Sequence, residues 1–267
     1  MISNLDNMRR FGVELEFVSN VTMQQMADLI FEHTQQRVYV ASYSDKSDRW
    51  RLKPDCSVRG RNGMELVTPI LHGLDDMELL KKIVNVCNEY GEVNRSCGMH
   101  VHVDITGAEA APLRKLMQYF AKYENAICNV LSPSRRGTNN GYCQNSYSGY
   151  EDLWNTFDDL LNRDVRSLLN DRHFCGRGKW NFQNYWRHGS VENRAHQGTL
   201  DAEKVENWVR LTQGIVARAF EMRGCGAYRG DTTSTYTLKH LLNDLCGKGF
   251  ITKTTKKFYT KRAKDLN

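Results

Sequence analysis

The sequence predicts a single α+β domain with a largely antiparallel sheet. A chain of 267 residues that is 40% hydrophobic can bury one sizeable core, but it is short for two large domains. Segments that alternate with a period of two lie among segments whose apolar residues follow helical spacing. Their order is mixed, which favours an antiparallel sheet over repeated strand–helix–strand units. We therefore expect one domain over residues 1–247, followed by a basic tail over residues 248–267.

Strands are predicted where apolar and polar side chains alternate. Residues 11–18 show this clearly, because one face is apolar and the other carries Glu14 and Glu16. Residues 50–70 are predicted to form a hairpin, since Gly60 and the Asn62-Gly63 pair suit the positive φ of a tight return. The remaining predicted strands cover residues 38–43, 49–52, 99–104, 180–186 and 190–196.

Helices are predicted where apolar residues recur every three to four positions. Thr106 and Glu109 form the pattern of a capping box before a long helix. After that helix, residues 132–149 are rich in Ser, Gly and Asn, and they include Arg135 and Arg136, which predicts an exposed loop. The predicted helices cover residues 22–36, 75–89, 106–131, 151–170 and 201–222, the last capped by Asp201.

Charge is unevenly distributed along the chain. After residue 247 there are seven basic residues and one acid, so this segment alone accounts for the net charge of +6. A basic run of this kind is usually a solvated, mobile tail, so a nucleic-acid partner is not expected. The eight cysteines form no C-x-x-C pair, and no apolar run is long enough to span a bilayer. We expect a cytoplasmic protein with reduced thiols and no membrane contact.

Carboxylates recur on the predicted strand faces. Glu14 and Glu16 leave one strand roughly 7 Å apart at the backbone. Such a pair is either solvated or neutralised by hard cations, which prefer oxygen ligands. Asp55 and Glu65 lie on opposite arms of the predicted hairpin, where cross-strand proximity is expected. Because Glu65 interrupts an apolar run, it requires a partner.

Imidazoles and an arginine follow the same rule. One strand directs three polar side chains to the same face: His100, His102 and Asp104. These side chains either form a solvent-exposed strand face or bind a metal. A His-x-His pair with a carboxylate is also a zinc-binding pattern. Glu192 and Arg194 share a strand face. They form either a surface salt bridge, which contributes little to stability, or part of a functional site. Carboxylates, imidazoles and an arginine on several strands are the groups that metal-bridged phosphates need.

In their order and joint presence, these segments resemble the glutamine synthetase and glutamate–cysteine ligase superfamily, and within it the small amidoligases of bacteria and phages. The resemblance covers residues 9–225. It implies a curved, largely antiparallel sheet with helices packed on one face. It also implies an ATP-dependent carboxylate–amine ligase with two or more Mg²⁺ ions, or Mn²⁺. The matching segments are F-G-V-E-L-E-F, the hairpin acids with E-L-V-T-P-I, Gly98-Met99-His100-x-His102 and Glu192-x-Arg194.

The resemblance further implies roles for the metal ligands. One metal would bridge the ATP phosphates on Glu14, His100 and Glu192. Another would face the substrate on Glu16 and Glu65, with Asp55 nearby. Two residues depart from the pattern of the family, since Asp55 is shorter than the expected glutamate and Asn193 is polar where an apolar residue is expected.

The remaining roles concern the substrates and the nucleotide. Arg194 would meet the transferred phosphoryl group, and His102 would lie near the nucleotide. Asp55 or Glu65 is the candidate for taking the proton of the amine. The candidates for binding acidic groups of the substrate are Arg135, Arg136 and Lys53. Lys53 is also a candidate for binding the nucleotide.

The expected partners are ATP, a small-molecule or peptide carboxylate and an amine, in the host cytoplasm if a phage encodes the chain. Two alternatives remain open. One is a zinc-dependent hydrolase that uses His100, His102 and a carboxylate without a nucleotide. The other is a non-catalytic nucleic-acid binder that uses the basic tail, residues 248–264.

Overall fold

The fold is α+β with an open, mostly antiparallel sheet and helices, as predicted. The computed structural model describes residues 9–137, 140–141, 143–146, 162–171, 174, 176–224 and 236–266. The chain divides into an N-terminal unit, built from Leu5–His102 and His196–Val209, and a C-terminal unit, built mainly from Val103–Ala195 and Arg210–Asn267. The predicted single domain over residues 1–247 stays a prediction.

The sheet of the N-terminal unit has the strand order β2-β3-β4-β1-β6. Strand β2 runs parallel to β3, whereas β4 is antiparallel to both β3 and β1. Strand β5 pairs with the end of β1. The bounds are β1 Phe11–Ser19, β2 Tyr39–Val40, β3 Arg51–Pro54, β4 Met64–Val67, β5 Gly91–Glu92 and β6 Gly98–Asp104.

The predicted hairpin is present as β3 and β4, and its turn has the predicted positive φ at Gly60 and Asn62, though not at Gly63. Gly60 lies at φ +140° and Asn62 at φ +47°, the region that an L side chain rarely adopts. Helix α1, Met23–Thr34, opens with a capping box between Thr22 and Gln25, and helix α2 covers Gly73–Tyr90. Most apolar residues of β1, β4 and both helices are buried, whereas Phe31 and Leu74 are exposed, so the core lies between the sheet and these helices.

The C-terminal unit contains an antiparallel pair, β7 Trp180–Asn181 with β8, whose bounds are Ser190–Gln197. Phe120 packs edge-on against Trp180, with ring centroids 4.7 Å apart. Arg218 and Tyr119 both bond the carboxylate of Asp244, which ties three helices together. The remaining helices are α3 Ala110–Cys128, α4 Val165–Leu169, α5 Tyr185–His188, α6 Ala202–Glu221, α7 Leu238–Gly247 and α8 Lys253–Asp265.

Several predicted boundaries are wrong, among them the strand 38–43, which is reduced to Tyr39–Val40. The N-cap of α3 is Glu109, with no side-chain cap bond, because Gly107 at φ +73° turns the chain and the Thr106 hydroxyl lies against Gly189 O at 3.3 Å. The predicted strand 180–186 ends at Asn181, since the Asn181 side chain accepts the N–H of Gln183 and starts a turn into α5. Most of the predicted helix 151–170 lies outside the described residues; α4 is its described part.

The basic segment after residue 247 is not a solvated tail. It forms helix α8, in which the side chain of Tyr259 is fully buried and Arg262 Nε donates to Val130 O at 2.8 Å. Thr252 caps the helix by accepting the N–H of Thr255. An apolar ring and a backbone acceptor hold this helix in the C-terminal unit, which a count of charges does not reveal. Within the described residues, we find no helix that is both long enough and apolar enough to cross a bilayer.

Candidate metal centre

Three charged side chains form a row across the sheet of the N-terminal unit. Glu65 of β4 lies directly opposite Glu16 of β1 on one side and Lys53 of β3 on the other. Lys53 Nζ lies 3.2 Å from Glu65 Oε2. Both glutamates are 7% exposed. Lys53 therefore has a structural partner in Glu65. The predicted role of Lys53, binding the cofactor or the substrate, did not include this ion pair.

The carboxylate of Glu14 lies between two histidines of β6. His100 Nδ1 is 3.1 Å from Glu14 Oε2, and His102 Nε2 is 3.5 Å from Glu14 Oε1. The period of two along both strands brings these side chains to the same face, as the sequence predicted. Burial by itself would raise the pKa of Glu14, but hydrogen bonds from His100 and His102 and their positive charges hold that pKa well below its ordinary value. Glu14 is therefore ionised at neutral pH.

Glu16 is oriented by the backbone of β6. The N–H of Gly98 donates to Glu16 Oε2 at 2.6 Å, while His100 Nε2 lies 3.8 Å from Glu16 Oε1. One oxygen of Glu16 is thus fixed by a backbone donor. The other faces the imidazole.

Among the described residues of the N-terminal unit, two groups of ligand atoms meet the distance requirement of a cation site. The atoms of Glu14, Glu65 and His100 lie within 4.8 Å of one another, as do those of Glu16, Asp55 and Glu65. Glu65 belongs to both groups. Because the two groups have Glu65 in common, their buried carboxylates suit two neighbouring hard cations. The positive charge of the cations would relieve the repulsion between the carboxylates. The ligand set therefore fits the predicted divalent metals, although the metal-binding roles stay predictions.

The electrostatics of Glu65 shows why a cation would be favourable here. Burial raises the pKa of Glu65 well above its ordinary value, and the charges of Glu14, Glu16 and Asp55 raise it further, against a lowering effect of Lys53. A cation bound beside Glu65 would supply positive charge that lowers this pKa and favours the ionised carboxylate. Asp55 and Glu65 thus lie close together in the folded chain, as the hairpin predicted.

Glu192 and Arg194 belong to β8 in the C-terminal unit. Glu192 is 2% exposed, and Arg194 Nη1 donates to Glu192 Oε1. The other carboxylate oxygen, Oε2, accepts amide N–H groups from Asn181 and Asn184. The pair is consequently not a surface salt bridge, and no pattern in the sequence predicts the contacts of the two asparagines. The predicted metal-binding and phosphoryl-binding roles of Glu192 and Arg194 stay predictions.

Asn193, the polar residue at an expected apolar position, is buried without loss of hydrogen bonds. Its Nδ2 donates to Thr212 Oγ1 at 3.1 Å, and its Oδ1 accepts the N–H of Ala195. An asparagine that is bonded on both sides is compatible with a buried strand.

The prediction of an exposed loop over residues 132–149 is only partly right, because Ser134 and Gln144 are exposed while other described residues are buried. Arg135 is 3% exposed, and Cys143 is fully buried. The cause is Lys179, a fully buried residue whose ammonium donates to Gly137 O, Cys143 O and Asn145 Oδ1 and so holds this segment inward. Arg136 donates to Leu131 O and Leu266 O. These contacts are structural, and substrate binding by Arg135 and Arg136 stays a prediction.

The arrangement of histidines bears on the zinc alternative. Within the residues that the structure describes, no candidate group of metal ligands contains both His100 and His102. Both imidazoles contact Glu14 instead. A cation among Glu14, Glu65 and His100 would have mainly oxygen ligands, which favours magnesium or manganese over zinc.

Comparison with solved structures finds distant likenesses. A bifunctional glutathione synthetase from Pasteurella multocida aligns at 11% identity and TM-score 0.44, over 99% of this chain and 48% of that chain. This chain therefore spans about half the length of that enzyme. A protein described as a novel glutamine synthase homolog aligns at 12% identity and TM-score 0.46, over 98% of this chain and 67% of that chain.

The sequence itself was also compared with known proteins. A search of curated proteins finds no match. A family model described as "Putative amidoligase enzyme" matches residues 7–216. This range covers most of the chain and includes Glu14, Glu65, His100 and Glu192, so the protein belongs to the amidoligase family.

Proposed function

We propose that the protein is an ATP- and magnesium-dependent carboxylate–amine ligase that works through an acyl phosphate. Family membership supports the ligase class. The observation that carries the cation dependence is the sharing of Glu65 by two groups of ligand atoms. Four carboxylates lie so close together that cations are the simplest means of holding them ionised.

The proposed reaction has two steps. A carboxylate oxygen of the substrate attacks the γ-phosphorus of ATP, and ADP leaves. The amine nitrogen then attacks the acyl carbon, the bond from that carbon to the phosphate oxygen breaks, and the amine loses one proton. When bound, Mg²⁺ neutralises the negative oxygens of the transferred group.

The side chains of the protein supply orientation and charge. Glu14 is kept ionised by His100 and His102. Glu16 is held by the N–H of Gly98, so its free oxygen has a fixed direction. The guanidinium of Arg194, oriented by Glu192, provides positive charge for a phosphoryl group.

Asp55 is the better candidate for the group that accepts the amine proton. It is half-buried, whereas Glu16 and Glu65 are buried, so an amine reaches Asp55 more easily. Its Oδ1 accepts the N–H of Ser57 at 2.7 Å, which orients the carboxylate. Proton transfer needs contact within hydrogen-bond reach, and that favours the more accessible carboxylate.

The proposal is tested by ADP release with Mg²⁺ and a panel of acids and amines. Glu14→Gln and Arg194→Ala should abolish turnover, whereas Glu32→Gln, an exposed acid of α1, should not. Unchanged turnover in both site variants overturns the assignment. With an ¹⁸O-labelled carboxylate, one ¹⁸O should appear in the released phosphate; unlabelled phosphate excludes the acyl phosphate. Stoichiometric zinc after dialysis, together with ATP-independent hydrolysis, would favour the hydrolase instead.

A further inference from the structure

Helix α8 presents a straight row of four lysines. Lys253, Lys257, Lys261 and Lys264 are all exposed, with spacings of four, four and three residues. At 3.6 residues per turn, these positions fall within an arc of about 80° and extend over about 16 Å of the helix axis. Thr255 and Tyr259, on the opposite side, are buried. The lysines therefore form one continuous stripe, which we call the lysine row.

The lysine row is carried by a firmly packed helix. Its N-terminus is capped by Thr252, and Arg262 and the backbone of Leu266 bond Val130 and Arg136 respectively. The segment before the helix lies against α6, where a Cβ on Gly214 would come within 2.7 Å of Ile251 Cγ2. The spacing of the lysines is thus maintained by packing on the other side of the helix.

We propose that the lysine row binds the phosphate backbone of a nucleic-acid duplex without sequence preference. Asp265 is the one acid of α8, and it projects beside the row. A duplex carries one negative charge per about 1.7 Å of its axis, so a row of about 16 Å has phosphates within reach along its whole length. Lysines act as point charges on flexible stems, which suits phosphate contacts that carry no base readout.

Other anionic partners fit the surface less well. A helix that lies in a membrane interface presents large apolar side chains beside its basic residues. Among described residues 236–266, none belongs to the exposed large hydrophobic side chains of the protein. The absence of exposed aromatic rings there also disfavours stacking on single-stranded bases. This surface is independent of the proposed ligase site.

The test is fluorescence anisotropy of the full chain with a labelled duplex of about two helical turns. Four phosphate contacts predict a slope of about −3.6 in log K against log salt, so binding should weaken about 150-fold between about 50 and 200 mM salt. Changing all four lysines of the row to glutamine should remove binding. The matched control, Lys46→Gln with Arg59→Gln, Lys82→Gln and Arg187→Gln, removes the same charge from exposed residues elsewhere and should retain it.

Three results would overturn the proposal. They are no duplex binding at low salt, equal loss in the row variant and the control, and tighter binding to phosphatidylserine vesicles than to the duplex. Circular dichroism of the row variant should match wild type because the four side chains are exposed. If the helix content falls, the single variants Lys257→Gln and Lys261→Gln should each lower the salt slope by about one.

Discussion

Glu16 and Glu65 face each other as directly opposed residues of two antiparallel strands, and both are buried. Like charges in direct opposition destabilise a sheet. Lys53 compensates on only one side of Glu65, and Asp55 adds another negative charge. The protein thus keeps a locally unfavourable arrangement, which is the pattern expected where side chains are arranged for a ligand rather than for stability.

Replacing Glu65 by glutamine should stabilise the metal-free protein at neutral and alkaline pH. Because the pKa of Glu65 is raised in the folded state, wild type loses stability as pH rises above about 4.3, by up to about 1.4 kcal/mol per pH unit, until the folded-state pKa is passed. Below that window the two proteins should be equally stable. Urea denaturation at several pH values checks this. Glu32→Gln should show no such pH-dependent gain, and a gain of equal size there would contradict the assignment.

Divalent cations should stabilise the protein. At a concentration of Mg²⁺ or Mn²⁺ about 100 times Kd, linkage gives about 2.7 kcal/mol, or a rise in Tm of about 5–10 °C for a chain of this size. Differential scanning fluorimetry measures the shift. Glu14→Gln and Glu16→Gln should reduce it, while Glu92→Gln, a variant at an exposed acid, should keep it. An undiminished shift in both site variants would place the cation elsewhere.

Cation binding should release protons. Because the pKa of Glu65 is raised, this carboxylate binds a proton more tightly than an ordinary glutamate, and a cation that takes it as a ligand displaces that proton. The affinity for Mg²⁺ should therefore keep rising with pH above the range in which an ordinary glutamate titrates, until the raised pKa of Glu65 is passed. Calorimetry in buffers of different ionisation enthalpy measures the number of protons released. In Glu65→Gln that number should fall, and an unchanged number would show that another group titrates.

Removing Arg194 should destabilise the C-terminal unit through Glu192. A buried carboxylate that loses its cationic partner costs roughly 3–5 kcal/mol, and less here because part of the Arg194 side chain is exposed. We expect about 1–3 kcal/mol for Arg194→Ala by urea denaturation. The double variant Glu192→Gln with Arg194→Ala should regain part of this loss, since no unpaired charge remains. Additive losses would mean that the two residues do not interact.

Helix α8 should prove essential to stability despite its basic composition. Tyr259→Ala removes a fully buried ring and should cost about 3–5 kcal/mol in the free energy of unfolding. Lys257→Ala, at an exposed position two residues away, should change it by no more than about 0.5 kcal/mol. Equal stability of the two variants would contradict the role of the Tyr259 ring in holding this helix.

The sequence predicted the contents of each strand face well. Glu14 and Glu16, and likewise His100 and His102, share a face because side-chain direction along a strand has a period of two, a property of the local backbone. The positive φ of the hairpin turn follows equally from the chemistry of Gly60 and Asn62. Local sequence determines helix caps less well than strand faces. The pattern at Thr106 also fits a turn, and the contact with Gly189 selects the turn.

What a local pattern cannot contain is the identity of a distant neighbour. The sequence by itself determined the acids, the imidazoles, their strand faces and the family. Only the tertiary structure decided that Lys53 pairs with Glu65, that the N–H of Gly98 holds Glu16, and that Tyr259 anchors a basic helix. Those contacts depend on strand register and on packing between remote segments, where many alternatives have similar local energies and burial selects one of them.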